Sequence, residues 1–279
     1  MAVPNKGSLA EGAEQILKEA GYRVRRDHRE LVLADPENNI ELFYLRPRDV
    51  ATYVGAGRID VGITGRDLLA DSKAGAVEHL PLGFAQSTFR LAAPLGTMSK
   101  PADLNQKRVA TSYPRLVRKQ LKALGVEPAE IVRLDGAVET AVRLGVADAI
   151  ADVVDTGSTL RTAGLEVFGP PLLESEAVLV RSPAADLTNG INNLTRRVKG
   201  VITARQWVLM DYVVPDSALA AAVALTPGLE SPTVSPLLEP GWSAVRVMVR
   251  RANLNATMDQ LNDVGGRAVV VSSVIAARF

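Results

Sequence analysis

The stretch Ala147 to Arg161, ADAIADVVDTGSTLR, sets Asp148, Asp152 and Asp155 among apolar residues and follows them with Thr156, Gly157, Ser158 and Thr159. A turn of small residues that opens a helix aims backbone N–H groups at a bound anion, and Thr and Ser hydroxyls add donors. Aspartates beside such a turn repel a phosphate, but they accept hydrogen bonds from vicinal sugar hydroxyls. A ribose carrying a 5-phosphate matches both halves of the stretch. Asp and Thr are also ordinary turn and cap residues, so the pattern alone leaves a purely structural role open.

Two cations and a glycine turn occupy comparable places. Lys6 follows Ala2-Val3-Pro4, and Arg46 follows the apolar run Ile40 to Leu45. At strand ends both could meet phosphate oxygens; taken singly, each is more often a solvated charge near a helix start. Gly62-Ile63-Thr64-Gly65-Arg66-Asp67 is a tight strand-to-helix turn where backbone can approach a ligand closely, though a plain connecting loop explains it as well. No phosphate-loop motif occurs, and Gly55-Ala56-Gly57 is followed by Asp60 where a dinucleotide fingerprint needs glycine. There is no Gly-x-Ser-x-Gly, and His28 and His79 lie outside the strand-end clusters, in keeping with solvated or packing roles.

Composition narrows the class further. The chain has 279 residues, enough for two or three domains. Lys plus Arg is 32 and Asp plus Glu is 31, so no long-range field draws it to nucleic acid or an anionic membrane, and aromatics at 4% leave few rings for stacking bases. The absence of cysteine excludes disulfides and thiolate chemistry. No apolar run approaches the roughly 20 residues of a membrane span, and the N-terminus has no signal-peptide pattern, which predicts a soluble cytoplasmic protein.

Alternating elements must carry these strand ends. A capping-box pattern opens a helix at Ser8 that runs to Gly21. The spacing then predicts a strand over 40–45, a helix from Pro47 to near Gly55 and a strand over 59–63. The rhythm resumes with strands over 89–93, 108–111, 131–134 and 149–154 and helices over 114–124 and 137–144. Strands alternating with helices predict two α/β lobes built on parallel sheets, with ligands at the carboxyl ends of the strands. A long polar-studded helix within 186–208 leads to strand, helix, strand, strand, helix and strand between 209 and 275, the βαββαβ order of a ferredoxin-like domain.

Glu139, Gly145, Ala147-Asp148, Ile150, Asp152, Gly157 and Thr159-Leu160 together resemble the signature of the ATP phosphoribosyltransferases, the first enzymes of histidine biosynthesis. The resemblance extends through Val3-Pro4-Asn5-Lys6-Gly7, Leu45-Arg46-Pro47, Gly62 to Asp67, Ala110 to Pro114, Leu134 to Glu139 and Thr226 to Thr233, so it covers essentially the whole chain. One departure is that family members usually carry a few more residues before Ala2, completing the first strand.

The resemblance implies transfer of the phosphoribosyl group of phosphoribosyl pyrophosphate to N1 of ATP, with release of pyrophosphate and with Mg²⁺ as cofactor. Its ligands are not identifiable from the sequence. N1 has a free lone pair, so no general base is needed, in keeping with the absence of His and Cys at the strand ends. By the same resemblance, Asp152 and Asp155 hold the ribose hydroxyls and Thr156, Gly157, Ser158 and Thr159 the 5-phosphate. Lys6 and Arg46 face pyrophosphate or nucleotide phosphates, Tyr113 lies near the adenine, and Gly65 and Glu139 belong to the substrate site. As exposed strand-end carboxylates, Asp152 and Asp155 would stabilise the fold little.

The implied architecture is two periplasmic-binding-protein-like lobes, 1–87 with 177–208 and 88–176, plus a regulatory domain over 209–279 that binds histidine as feedback inhibitor. Asp211, Ser231, Pro232, Thr233, Ala268 and Ser272 are the candidate histidine contacts. Homodimers assembling into homohexamers are expected, with no nucleic-acid or membrane partner. Two other classes fit the lobes or the last domain alone: a solute-binding module without chemistry, and a small-molecule-sensing regulator. The second leaves the acidic phosphate cradle unexplained.

Overall fold

A buried parallel strand needs apolar residues on both faces, and Ala149, Ile150 and Ala151 are fully buried at the centre of the sheet that carries the acidic stretch. The computed structural model describes residues 1–25, 27, 29–154, 157–185 and 189–278. His28, Asp155, Thr156 and Phe279 therefore lie outside the described residues. The chain forms two compact units, residues 1–15 with 22–191 and residues 16–21 with 192–279.

In chain order the elements are β1 (Ala2–Pro4), α1 (Ser8–Glu19), β2 (Val32–Asp35), β3 (Ile40–Leu45), α2 (Pro47–Gly55), β4 (Val61–Gly65), α3 (Arg66–Asp71) and β5 (Val77–Pro81). Then come β6 (Ser87–Pro94), β7 (Arg108–Thr111), α4 (Pro114–Ala123), β8 (Glu130–Arg133), α5 (Thr140–Arg143), β9 (Ala149–Val154), α6 (Ser158–Thr162), β10 (Leu165–Ser175) and β11 (Ala177–Arg181). The chain ends with α7 (Asn189–Gln206), β12 (Trp207–Pro215), α8 (Leu219–Leu225), β13 (Thr233–Pro236), β14 (Trp242–Arg250), α9 (Leu254–Asp263) and β15 (Arg267–Ser273).

The first unit holds two sheets, ordered β2-β3-β1-β4-β11-β5 and β10-β6-β9-β7-β8. Both are mixed, which corrects the expectation of parallel sheets. β1 runs parallel to β3 and β4, and β7 parallel to β8 and β9. β11 is antiparallel to β4 and β5, and β6 is antiparallel to β9 and β10. The chain passes from the first sheet to the second after β5 and returns after β10, and each crossing strand meets its new neighbours running the other way. This double crossing is the connectivity of two periplasmic-binding-protein-like lobes.

Side chains alternate strictly along β9. Ala149 and Ala151 pack with Phe89, Leu91, Val109, Leu116, Val117 and Leu121 on one face, and Ile150 packs with Val138, Ala141 and Leu160 on the other. Asp152 inherits the parity of Ile150. The helix expected over 137–144 shrinks to α5 because Gly136 and Ala137 take φ values of 132° and 48°, which no right-handed helix accommodates. β10 carries Gly169-Pro170-Pro171 where its register with β6 breaks, on an edge strand that can spare the missing N–H groups.

The second unit contains a four-stranded antiparallel sheet ordered β13-β14-β12-β15, the ferredoxin-like arrangement. Val208, Met210, Tyr212 and Val214 of β12 and Val245, Val247 and Val249 of β14 bury one face against Ala222 of α8 and Leu261 of α9. Among the described residues no helix is long and apolar enough to cross a membrane.

Candidate active site

Strand β9 delivers Asp152 half-buried, not exposed as the sequence suggested. Burial pushes its carboxyl above the ordinary aspartate range, and the charges of Glu139 and Asp67 push the same way. The N–H of Val153, which donates to Asp152 Oδ1 at 2.8 Å, and the charge of Arg48 oppose the rise without cancelling it. Beyond the strand, Gly157 adopts φ 70°, a left-handed conformation that glycine takes without strain, and so turns the chain into α6. Ser158 and Thr159 are exposed in the first turn of that helix. Asp148, the third carboxylate of the stretch, has a structural task. It accepts the Arg108 N–H at 2.8 Å and pairs with that guanidinium at 3.0 Å, which holds its carboxyl below the usual range.

The first sheet presents its own strand ends in a row. Pro4 of β1 lies opposite Leu45 of β3, and the Asn5 N–H donates to Leu45 O at 2.8 Å, so exposed Lys6 and exposed Arg46 leave one edge side by side. β4 flanks β1 on its other side and brings Gly65 to the same edge. Gly65 is needed there for space, because a Cβ would collide with Asp67 Oδ1. Thr64 Oγ1 donates to Pro47 O at 2.8 Å and ties this turn to the start of α2.

The two lobes meet through Arg66 and Asp67, named in the sequence only as part of a glycine turn, and through Arg48 and Asp71, which the sequence did not mark. Asp67 is buried, its carboxylate accepting the Ser175 hydroxyl at 2.9 Å while its own N–H donates to Ser175 Oγ at 3.0 Å. The neighbouring Arg66 pairs with Glu78 at 2.8 Å and Glu176 at 3.2 Å, fixing the β4–α3 turn onto the β10–β11 connection. Arg48 stretches from α2 to donate to Ser112 O at 2.7 Å and to Asp71 Oδ2 at 3.2 Å, with its guanidinium 4.4 Å from the centre of the Tyr113 ring. Burial, then the charge of Asp67 and a hydrogen bond to it, push the Tyr113 phenol up, so it stays protonated at neutral pH. Tyr113, Asp67, Arg48, Glu139 and Asp152 thus form one electrostatic neighbourhood. The available signal was positional: Arg48 and Asp67 lie in the first turns of helices that follow β3 and β4, and Asp71 shares a helix face with Asp67 at i, i+4.

Among the described residues no three His, Asp or Glu side chains gather as metal ligands, so they do not fit a metal ion held by the protein alone.

In the second unit, Asp211 of β12 lies opposite Arg246 of β14 and Val270 of β15, and Arg246 lies opposite Thr233 of β13. Arg246 Nε donates to Asp211 Oδ1 at 2.7 Å. Ser272, opposite Leu209, shares this face, which is the one turned away from α8 and α9. Ser231 and Pro232 lead into β13, and Ala268 sits early in β15 with φ 50°.

Residues 46–200 match the family model described as ATP phosphoribosyltransferase, and residues 204–275 match that of the HisG C-terminal domain. The chain belongs to the ATP phosphoribosyltransferase family. It is 59% identical to the ATP phosphoribosyltransferase of Pseudarthrobacter chlorophenolicus and 60% identical to that of Paenarthrobacter aurescens, in each case over 100% of this chain and 99% of the relative. The ATP phosphoribosyl transferase (HisG:HisZ) complex from Thermotoga maritima superimposes with a TM-score of 0.63 at 27% identity, covering 72% of this chain and 98% of that one. The protein is therefore a transferase of the first step of histidine biosynthesis, and of the strand-end residues above all but Lys6 lie within the segment 46–200.

An aspartate whose folded pKa is raised binds more proton folded than unfolded, so stability falls as pH rises through that interval and the cost stands in full above it. Asp152→Asn should therefore raise the melting temperature at pH 7, with the gain closing as pH falls toward 3.8, the ordinary aspartate value. Scanning calorimetry across that range checks it, and a lower melting temperature at pH 7 contradicts it.

Proposed function

We propose that the strand ends of the first unit divide the family's reaction among them as follows. The turn at Gly157, Ser158 and Thr159 takes the 5-phosphate of phosphoribosyl pyrophosphate on backbone N–H and hydroxyl donors, together with Thr156. Asp152, with Asp155, accepts hydrogen bonds from the ribose hydroxyls, and Glu139 stands beside it. Lys6 and Arg46 face the pyrophosphate and nucleotide phosphates from the opposite sheet, Gly65 belongs to the same edge, and Tyr113 receives the adenine. N1 of ATP attacks C1′, the bond from C1′ to the pyrophosphate oxygen breaks, and its electron pair leaves with pyrophosphate. The protein's part is placement and charge stabilisation rather than proton transfer.

The observation that carries this reading is Asp152 at the end of β9, half-buried and with its carboxyl raised first by burial and then by the charges of Glu139 and Asp67. A fold gains nothing from holding like charges together, whereas a polyhydroxylated ligand gives each carboxylate donors to bind. Mg²⁺ enters with the substrates' phosphates, whose charge it offsets. Pyrophosphate release from ATP and phosphoribosyl pyrophosphate is the test. It should stop in excess chelator, and Asp152→Ala should lower kcat/KM by about 2–4 kcal/mol, the scale of a lost set of charge-assisted hydrogen bonds. Unaltered kinetics in that variant would return Asp152 to a structural role.

We further propose that lobes 1–87 with 177–208 and 88–176 close on the substrates, and that 209–279 is a histidine-binding domain acting in homodimers and homohexamers. The open face bearing Asp211, Thr233, Ala268 and Ser272, with Ser231 and Pro232 at its rim, offers the amino-acid ligand a carboxylate partner. Asp211 is already paired with Arg246, so histidine must exchange one partner for another there. Asp211→Ala should abolish inhibition by histidine with KM for ATP unchanged, as steady-state rates at increasing histidine would read; inhibition that competes with ATP would contradict a separate site.

A further inference from the structure

We infer that Asp71 is a positioning residue for the transfer reaction, a carboxylate of one lobe that caps a helix of the other and so fixes Arg48 and Tyr113 in the cleft; this rests on the active-site reading above. The first N–H groups of a helix have no partner within it, and the residue before the helix normally supplies one. At α4 that residue is Tyr113, which makes no side-chain cap and instead packs edge-on against Phe89, with centroids 5.1 Å apart, and beneath Arg48. Pro114 follows and has no N–H to satisfy. The next two donors, the N–H groups of Arg115 and Leu116, go to Asp71 Oδ1 at 2.9 and 3.1 Å. Asp71 is the last residue of α3, so the cap comes from the other lobe.

The second oxygen of the same carboxylate receives Arg48, whose other amino group donates to the carbonyl of Ser112, one residue before Tyr113. The Arg48 side chain is 43% exposed and that of Asp71 11%, so as an isolated ion pair this contact stabilises the fold by no more than about 1 kcal/mol. The two charge-assisted N–H bonds hold the carboxylate in place, and the carboxylate then sets the direction of the arginine. One side chain thereby sets the position of the adenine-facing ring relative to the cation that offsets the charge of Asp152.

The cap and the ion pair separate experimentally. Asn caps helices as well as Asp does, so Asp71→Asn keeps an acceptor for both N–H groups and loses the charge that orients Arg48. We expect its melting temperature to stay within about 4 °C of the parent, while KM for ATP in pyrophosphate release rises roughly tenfold with kcat changed less than about twofold. Asp71→Ala should lose the cap as well and melt lower. In an Arg48→Gln background Asp71→Asn should have no further effect, because both act through one contact; titration calorimetry with ATP gives the same comparison if turnover becomes too slow. An unchanged KM in Asp71→Asn, or effects of the two substitutions that multiply, overturns the assignment. A parent protein that releases no pyrophosphate overturns the active-site reading instead.

Discussion

The carboxylate of Asp152 is carried to the end of a strand that is buried on both faces, where the negative charges of Glu139 and Asp67 act on it. Most of the local architecture answers that constraint. The N–H of Val153 turns back to the carboxylate, Gly157 bends the chain away in a left-handed turn, and Arg48 brings a positive charge from the opposite lobe. Alternation along β9 leaves no freedom in the matter, since the parity that buries Ile150 among Val138, Ala141 and Leu160 also sets the direction of Asp152. A one-residue shift would turn the charge into the apolar face lined by Phe89, Leu91 and Leu116 and crowd Ile150 into the space that Ala149 and Ala151 fill.

The same neighbourhood joins the lobes. Asp67 is locked to Ser175, Arg66 to Glu176, and Asp71 to the first turn of α4, all close to the β10–β11 crossing. Most of these contacts pair a charge with a neutral hydroxyl or backbone group, which costs less desolvation than burying two ions face to face. Chemistry that asks for placement rather than proton transfer suits such a frame, because its requirement is that two anionic substrates share one fixed geometry.

Much of this was legible in the sequence. The strands over 40–45, 108–111 and 149–154 fall where apolar runs end in turn residues, and the family signature lies on β9 and its turn. What escaped was what depends on distant partners. Asp71 reads as an ordinary helix-end acid until α4 is placed beside it, and Arg48 as a solvated charge until Tyr113 lies beneath it. Gly169-Pro170-Pro171 signals a loop locally, and only the edge position of β10 makes it compatible with a strand. The half-burial of Asp152 escaped for the same reason, since Asp67 and Arg48 reach it from outside its own segment.

The central claim is that Asp152 is held, at a cost to the folded protein, in a site shaped for a hydroxyl-bearing ligand. Carbon-detected NMR of the aspartate side-chain carboxyls, followed through a pH titration, tests it without any substrate. Asp152 should titrate above 3.8, the ordinary aspartate value, and move down when Glu139→Gln or Asp67→Asn removes a neighbouring charge. A carboxyl that titrates at or below 3.8 and ignores both substitutions would contradict the account.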